Sequence, residues 1–441
     1  MKHDIIIVGG GVSGTALLYT LSKYTDVKSI GLIEKYSDFG LVNSAAGMNS
    51  QTLHFGDIET NYTLEKARKV KKSADMVMKY LETEKTNGSR EKLFSVYSKM
   101  VIGVGKTQAE NLNERYKSFS QLFPNLRKIG KDEIRKIEPR VLEGRAPEEE
   151  LLALVTNDGY TVDFGRLCHS FVENAKKANP ETAIYLSTKV TKIVKDGNYK
   201  LITDNGEFEA PAVVIAAGSH SLKIAKSLGY GKNYSILSMS GSFYRGPKVL
   251  NGKVYTMQVP QLPFAAIHGD PEVHDANITR FGPTAKPIFF LERYNNSTFF
   301  EYWKTFGFSL SPILSLLKIS SDKVIFKFLL KNVVFDLPYF GKRSFLKEIR
   351  KIVPSIKLEE ISFAKKVGGT RPQIINNTLK RLEMGEAKLL GDRIIFNITP
   401  SPGASTCLGN AYEDTVKLME FLDNKFVFNK AQFETDLAEC K

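Results

Sequence analysis

The stretch that most restricts this chain is its opening, Asp4-Ile5-Ile6-Ile7-Val8-Gly9-Gly10-Gly11-Val12-Ser13-Gly14. A continuous apolar run reads as a strand buried on both faces, the habit of a parallel sheet. Glycines at 9, 11 and 14 follow at once, and Thr15 to Leu21 continues as a helix. Gly9 permits the tight turn, Gly11 lets backbone amides touch a pyrophosphate, and Gly14 lets the helix pack close to the strand. The helix start, headed by Val12 and Ser13, offers free N–H groups and partial positive charge to the phosphates.

A second strand, Ser29 to Ile33, ends in Glu34, twenty residues past Gly14. A carboxylate there can accept hydrogen bonds from a ribose 2′-hydroxyl. Strand, triplet, helix, strand and acid in this order favour a nucleotide site over glycines that serve packing alone.

At 441 residues the chain suits two interleaved domains. Ala212 to Ala217, closed by Gly218, is another buried strand more than 200 residues after the first, so the nucleotide domain is expected to be discontinuous. The expected division is 1–70, 150–234 and 363–441 for that domain, 71–149 as a helical insertion, and 235–362 as a substrate domain. Along the chain, Asn61 to Glu84 and 106–123 read as helices, and a short helix from Asp132 is one that Pro139 must end. Asp163 is the expected N-cap of a helix running to about Lys177. From Ser235 to about Leu291, including Pro260 to Gly269, the pattern is β-rich. The fold class is therefore α/β: a Rossmann-type nucleotide domain with an interleaved α+β substrate domain, mostly antiparallel sheet plus helices.

Net charge is +14, from 62 Lys and Arg against 48 Asp and Glu, which attracts nucleic acid, anionic lipid or a small polyanion. No RNA-binding motif or stacking-aromatic pattern appears, so nucleic acid is not the expected partner. Cys168, Cys407 and Cys440 are widely spaced, suggesting neither a disulfide framework nor a metal site and fitting a reducing compartment. A strand opening at residue 4 leaves no room for a signal peptide, and no apolar run is long enough to span a bilayer. Residues 298–343 interleave aromatic and aliphatic residues with lysines, as an interfacial membrane helix does; the alternative is a helical cap packed on its own domain.

Gly40 to Ser50 is small and polar, a composition that lets backbone approach a ligand. Near the C-terminus stand Gly368-Gly369-Thr370-Arg371-Pro372-Gln373-Ile374-Ile375 and a strand, Arg393 to Asn397, that runs into Thr399-Pro400-Ser401-Pro402-Gly403-Ala404-Ser405-Thr406 and then a helix. Small residues at that junction bring free amides and a positive helix end to one point, suited to the anionic charge of a reduced isoalloxazine.

These motifs resemble the malate:quinone oxidoreductase family, within the wider group of D-amino-acid oxidase and L-2-hydroxyglutarate oxidase folds. Asn49-x-x-Thr52-x-His54, then Glu59-x-Asn61-Tyr62-Thr63, follows the family's N-x-G-T-G-H-S-A-L-C-E-L-N-Y-T stretch. Gly369-x-Arg371-x-Gln373-Ile374-Ile375 matches its G-x-R-x-Q-I-I, and Ser401 to Thr406 reproduces its SPGAST. Gln51 and Leu53 stand where the family has glycine, Phe55-Gly56-Asp57-Ile58 replaces S-A-L-C, and Pro372 enters the arginine motif.

The resemblance implies FAD, oxidation of (S)-malate to oxaloacetate, electrons passed to a quinone, and a cytoplasmic protein bound peripherally to the inner face of the cell membrane. L-2-hydroxyglutarate or another 2-hydroxy acid is the enzymatic alternative; a basic flavoprotein that binds nucleic acid is the alternative of another class. A second glycine triplet for nicotinamide is missing. The FAD contacts it implies are Gly9, Gly11, Val12, Ser13, Gly14, Glu34, Lys35, Asn49, Ser50, Val190, Ala217, Gly218, Gly403, Ala404, Ser405 and Thr406.

Oxidising a 2-hydroxy acid needs a cation for the carboxylates, a base for the hydroxyl proton and a hydride acceptor. Arg371 is the expected cation, because its planar fork suits a carboxylate; Arg280 and Gln373 are further expected substrate contacts. His268, where the family has V-P-H, is the first expectation for the base, since imidazole has a reference pKa of about 6.5. His54 is the second. His220 and Cys407 read as structural.

Overall fold

A computed structural model describes residues 1–86, 92–258, 262, 266–337, 339–383 and 385–438. Most of the stretch from Pro260 to Ala265 read above as β-rich, and Cys440, lie outside the described residues.

The opening strand sits at the centre of a six-stranded sheet ordered Ala387–Gly391, Ile394–Ile398, Ala212–Ile215, Ile5–Val8, Ile30–Ile33, Ala183–Tyr185. All pairings are parallel except that of the edge strand Ala387–Gly391. Successive side chains explain the apolar run. Ile5 and Ile7 pack into one core beneath the helices Val12–Tyr24, Phe164–Ala178 and Cys407–Phe421. Ile6 and Val8 point the other way, against Ile193, Tyr199, Leu201 and Phe208 of a three-stranded antiparallel sheet. A strand covered on both faces has no polar position to spare.

An eight-stranded sheet runs Ser362–Phe363, Tyr244–Pro247, Ile278–Gly282, His268–Pro271, Lys253–Thr256, Phe94–Val104, Leu151–Val162, Arg127–Ile129. Beside it lies a four-stranded antiparallel sheet, Lys286–Ile288, Tyr234–Ser240, Thr370–Asn376, Arg381–Leu382. The expected boundaries are corrected in two places. The insertion 71–149 is not purely helical, because Phe94–Val104 and Arg127–Ile129 are strands that pair with Leu151–Val162. The segment from 363 does not return directly to the nucleotide sheet, since Thr370–Asn376 first pairs with Tyr234–Ser240. In both cases the partner strand is distant in sequence, and periodicity cannot name a partner.

Local readings fare differently. Asp163 caps Phe164–Ala178, its Oδ1 accepting from Gly165 N at 2.9 Å and Arg166 N at 3.0 Å. The helix Lys131–Ile137 stops before Pro139, which then starts a further short helix, Pro139–Leu142, at a position where its missing N–H costs nothing. Residues 298–343 span the helices Phe299–Phe306, Leu310–Ser321 and Lys323–Val334 and enter Phe340–Ile349. Tyr302, Phe306 and Ile319 pack on the four-stranded sheet. Phe300 (75% exposed), Phe308 (73%), Leu317 and Leu330 face outward. Among the described residues no helix is long and apolar enough to cross a membrane.

Candidate active site

A cavity runs along the carboxyl ends of the parallel strands. Gly9, Gly11, Val12, Ser13, Glu34, Lys35, Asn49, Ser50, Val190, Ala217, Gly218, Gly403, Ala404 and Ser405 line it. Gly14 and Thr406 do not. Gly14 acts behind the wall, where an added Cβ would lie 2.0 Å from Gly9 O. Thr406 turns its hydroxyl to Glu386 and to Gly403 O instead of the cavity. Gly9 has φ +118°, and a Cβ on it would meet Ala216 O at 2.4 Å, so only glycine makes this turn.

The turn is held in place by side chains. Gly10 N donates to Glu34 Oε2 at 2.6 Å and Tyr36 N donates to Oε1 at 2.9 Å. Val12 N donates to Ser44 Oγ at 3.0 Å, which ties the helix start to the small-residue loop. In that loop Asn49 Nδ2 donates to the carbonyls of Asn43, Ser44 and Ala45. Gln51, one of the two departures from family glycines, has φ +55°. Such backbone costs a side-chain residue of order 1 kcal/mol or more. Here Nε2 donates to Ala46 O at 2.8 Å and Oε1 accepts from Val273 N at 3.0 Å. Leu53, the other departure, is buried in the core.

Arg371 reaches the cavity because two glycines precede it. Gly368 has φ +98° and runs so close to Gly241 that a Cβ would fall 1.5 Å from its carbonyl. Gly368 N donates to Gly47 O at 2.7 Å, Gly369 N to Met48 O at 2.8 Å, and Thr370 N to Asn43 Oδ1 at 3.0 Å. The strand is thereby fixed against the 43–48 loop, with Arg371 on the cavity wall. Its guanidinium has no hydrogen bond or ion pair among the described residues, and burial pulls its pKa down to about 10. A half-buried cation without a partner among the described residues is a receptor for an anion.

His54 also lines the cavity. Its backbone N–H donates to Ser405 Oγ at 2.9 Å, so the two family motifs meet here. Nδ1 lies 2.6 Å from Glu59 Oε1. Burial opposes ionisation of Glu59, but the His54 hydrogen bond and charge, with Lys99, outweigh it and bring the carboxyl down to about 2. A carboxylate on Nδ1 fixes the tautomer that leaves Nε2 free to take a proton.

His268 is not on this wall. It is fully buried within the eight-stranded sheet, stacked on Tyr255 at 4.4 Å, with Nδ1 donating to Ala266 O at 3.2 Å. Burial lowers its pKa to about 3. Arg280 lies behind the loop as well, donating to Ser50 O at 3.1 Å and Asp270 Oδ2 at 3.0 Å. Gln373, buried two residues beyond Arg371, does not line the cavity. Of the residues expected to touch substrate or carry catalysis, the fold brings Arg371 and His54 to one cavity and leaves His268, Arg280 and Gln373 outside its lining.

The outer end holds residues that motif reading did not find. Lys35 Nζ lies 2.5 Å from Glu292 Oε1, which is also 3.1 Å from His220 Nε2, while Tyr36 donates its hydroxyl to Glu292 Oε2 at 2.5 Å. Burial works against the charge on Glu292, but His220 and Lys35 hold it well below the usual carboxylate range. His220, read above as structural, lines the cavity. Glu292 comes from a loop with no motif, and nothing in its local sequence signals this role.

Residues 1–427 match the family model for malate:quinone oxidoreductase. The chain is 41% identical over 451 residues to a probable malate:quinone oxidoreductase of Campylobacter jejuni, covering 99% of each. It is 40% identical over 454 residues to a malate:quinone oxidoreductase of Helicobacter pylori, covering 99% of this chain and 98% of that one. Among solved structures, L-α-glycerophosphate oxidase from Mycoplasma pneumoniae with FAD bound superposes with a TM-score of 0.65 at 18% identity, over 98% of this chain and 97% of that one. Glycine oxidase from Geobacillus kaustophilus gives 0.65 at 18% identity, over 98% of each.

Proposed function

The chain belongs to the malate:quinone oxidoreductase family, and from that premise we propose that it oxidises (S)-malate to oxaloacetate with FAD and passes the electrons to a quinone. The observation that carries the chemistry is the pairing, in one cavity, of Arg371, without a partner among the described residues, with a His54 already oriented by Glu59.

The cavity fits FAD. Its Gly9 turn admits no Cβ, its helix start carries no acidic residue in the first turn, and Gly403 to Ser405 head a second helix on the same wall. In this reading residues 1–70, 150–234 and 363–441 supply most of the cofactor contacts, Glu34 serving the ribose. FAD, when bound, accepts hydride from the carbon that bears the substrate hydroxyl. Arg371 holds a malate carboxylate through its fork. His54 takes the hydroxyl proton at Nε2 while Glu59 stabilises the imidazolium that results.

Peripheral binding to the cytoplasmic membrane face is part of the proposal. A quinone lives in lipid, and the outward residues Phe300, Phe308, Leu317 and Leu330, among the basic residues 304, 318, 323, 327 and 331, form a surface suited to an anionic leaflet.

Anaerobic addition of malate to the FAD-loaded protein tests the function. Bleaching of the flavin by malate, and much slower bleaching by 2-hydroxyglutarate, lactate and amino acids, is the expected result. Equal or faster bleaching by another of these would displace malate as the substrate.

A further inference from the structure

A second cavity opens between the eight-stranded sheet and the helices Lys323–Val334 and Phe340–Ile349. Val104, Met257, Ile267, Phe328 and Phe335 give it an apolar floor. The reaction derived above does not use it. Resting on the reading of this chain as a quinone-linked dehydrogenase, we propose that this cavity is the quinone site and that quinone enters it from lipid past the helix Lys323–Val334.

Three observations support the assignment. The first is the polar complement. Gln108 Oε1 accepts from Val104 N at 2.9 Å and Gln258 Oε1 accepts from Asn61 N at 3.2 Å. With both side-chain carbonyls occupied, each amide presents N–H groups as donors, which is what the two carbonyl oxygens of a quinone ring require.

The second is continuity with the apolar surface. Phe328, Asn332 and Phe335 face the cavity, while Phe326, Leu330 and Val333 of the same stretch are exposed on the other side. A single helix therefore separates the cavity from the surface assigned to lipid. Of the cations lining the cavity, Lys331 and Lys351 are paired with Glu348 and Arg145 with Glu149.

The third is closeness to the cofactor cavity. Thr52 lines that cavity, and its hydroxyl is 3.0 Å from the hydroxyl of Tyr255. Thr256 and Met257, the next residues along, line the second cavity. Tyr255 and Thr256 are successive residues of the strand Lys253–Thr256 with side chains on opposite faces, so one strand borders the second chamber and touches the lining of the first. The balance closes: malate oxidation releases two electrons and two protons, and the quinone takes up both pairs to become the quinol.

The test separates the two half-reactions in the FAD-loaded, full-length protein. Gln258→Leu removes a donor at nearly constant volume, and Ile267→Trp fills the floor. Wild type and both variants are reduced with dithionite, mixed anaerobically with a short-chain ubiquinone analogue, and followed by the return of flavin absorbance. At least tenfold slower reoxidation by the quinone in both variants, with reoxidation by a water-soluble dye within about twofold of wild type, is expected. Unchanged quinone rates, or an equal fall for quinone and dye, would overturn the site. Because dithionite supplies the electrons, this result does not depend on malate; failure of malate to bleach the wild-type flavin refutes the substrate reading alone.

Discussion

His54 Nδ1 stands 2.6 Å from Glu59 Oε1, with only four residues of chain between them and the imidazole on the wall of the cofactor cavity. The carboxylate holds one ring nitrogen as a donor and leaves the other as an acceptor. That relationship is the ground on which His54, and not His268, is proposed as the base.

His54→Ala is expected to slow flavin reduction by malate roughly a hundredfold to ten-thousandfold, the range for loss of a general base. Glu59→Gln should cost about 10- to 100-fold in the same step, with malate affinity little changed. His268→Gln should leave the reduction rate near wild type. Stopped-flow bleaching of all three decides the assignment, and a large loss in His268→Gln with none in His54→Ala would reverse it.

Arg371→Ala should weaken malate binding by about 2 kcal/mol or more, at least about 30-fold, because a buried carboxylate loses its charge-assisted partner. Arg371→Lys should recover only part of this, a point charge being unable to reproduce the fork. The same Arg371→Ala change should raise the melting temperature of the substrate-free protein slightly, since it removes a half-buried cation without a partner among the described residues. Binding titrations and thermal melts in parallel check both signs.

Gly9→Ala places a methyl 2.4 Å from Ala216 O at φ +118°. The purified variant is expected to lose bound flavin, measured as the ratio of visible to protein absorbance, with Gly47→Ala, where nothing lies within 4 Å of the added Cβ, as the matched control.

The buried His268 imposes a pH dependence on stability. Its folded pKa is about 3, depressed by burial, against about 6.5 when unfolded. Between these values the unfolded chain binds a proton that the native protein does not, so stability falls as pH drops through that window and is fully present above it. The slope is at most about 1.4 kcal/mol per pH unit, amounting to a few kcal/mol at the acid end. Melting temperatures from about pH 8 to pH 4 should fall more steeply in wild type than in His268→Gln.

The outward apolar surface should bind anionic vesicles. Flotation at low and high salt is expected to carry wild type with the lipid, more strongly at low salt, and to leave behind a variant with Phe300, Phe308, Leu317 and Leu330 changed to serine. Each such side chain contributes about 1.5–3 kcal/mol when moved from water to an apolar phase. Wild type that stays with the buffer under both conditions would remove the membrane face from the proposal.

The sequence alone determined the features whose physics is local. A buried strand, a turn that admits no Cβ, a helix start and an acid at the next strand end are set by steric limits acting over a few residues. They identified the nucleotide sheet, its glycine roles and the Asp163 cap. The motifs at 49–54, 369–371 and 401–406 were legible too, since close backbone approach demands small residues in a fixed order. The tertiary structure decided the rest. Two histidines of the same chemistry separate because one reaches a cavity wall beside Glu59 while the other is sealed in a sheet, where burial lowers its pKa to about 3. Arg280 and Arg371 divide likewise: Asp270 neutralises the first, and nothing among the described residues neutralises the second. Strand partners distant in sequence, the arrival of Glu292 from the substrate side and the second cavity depend on contacts that no local pattern encodes.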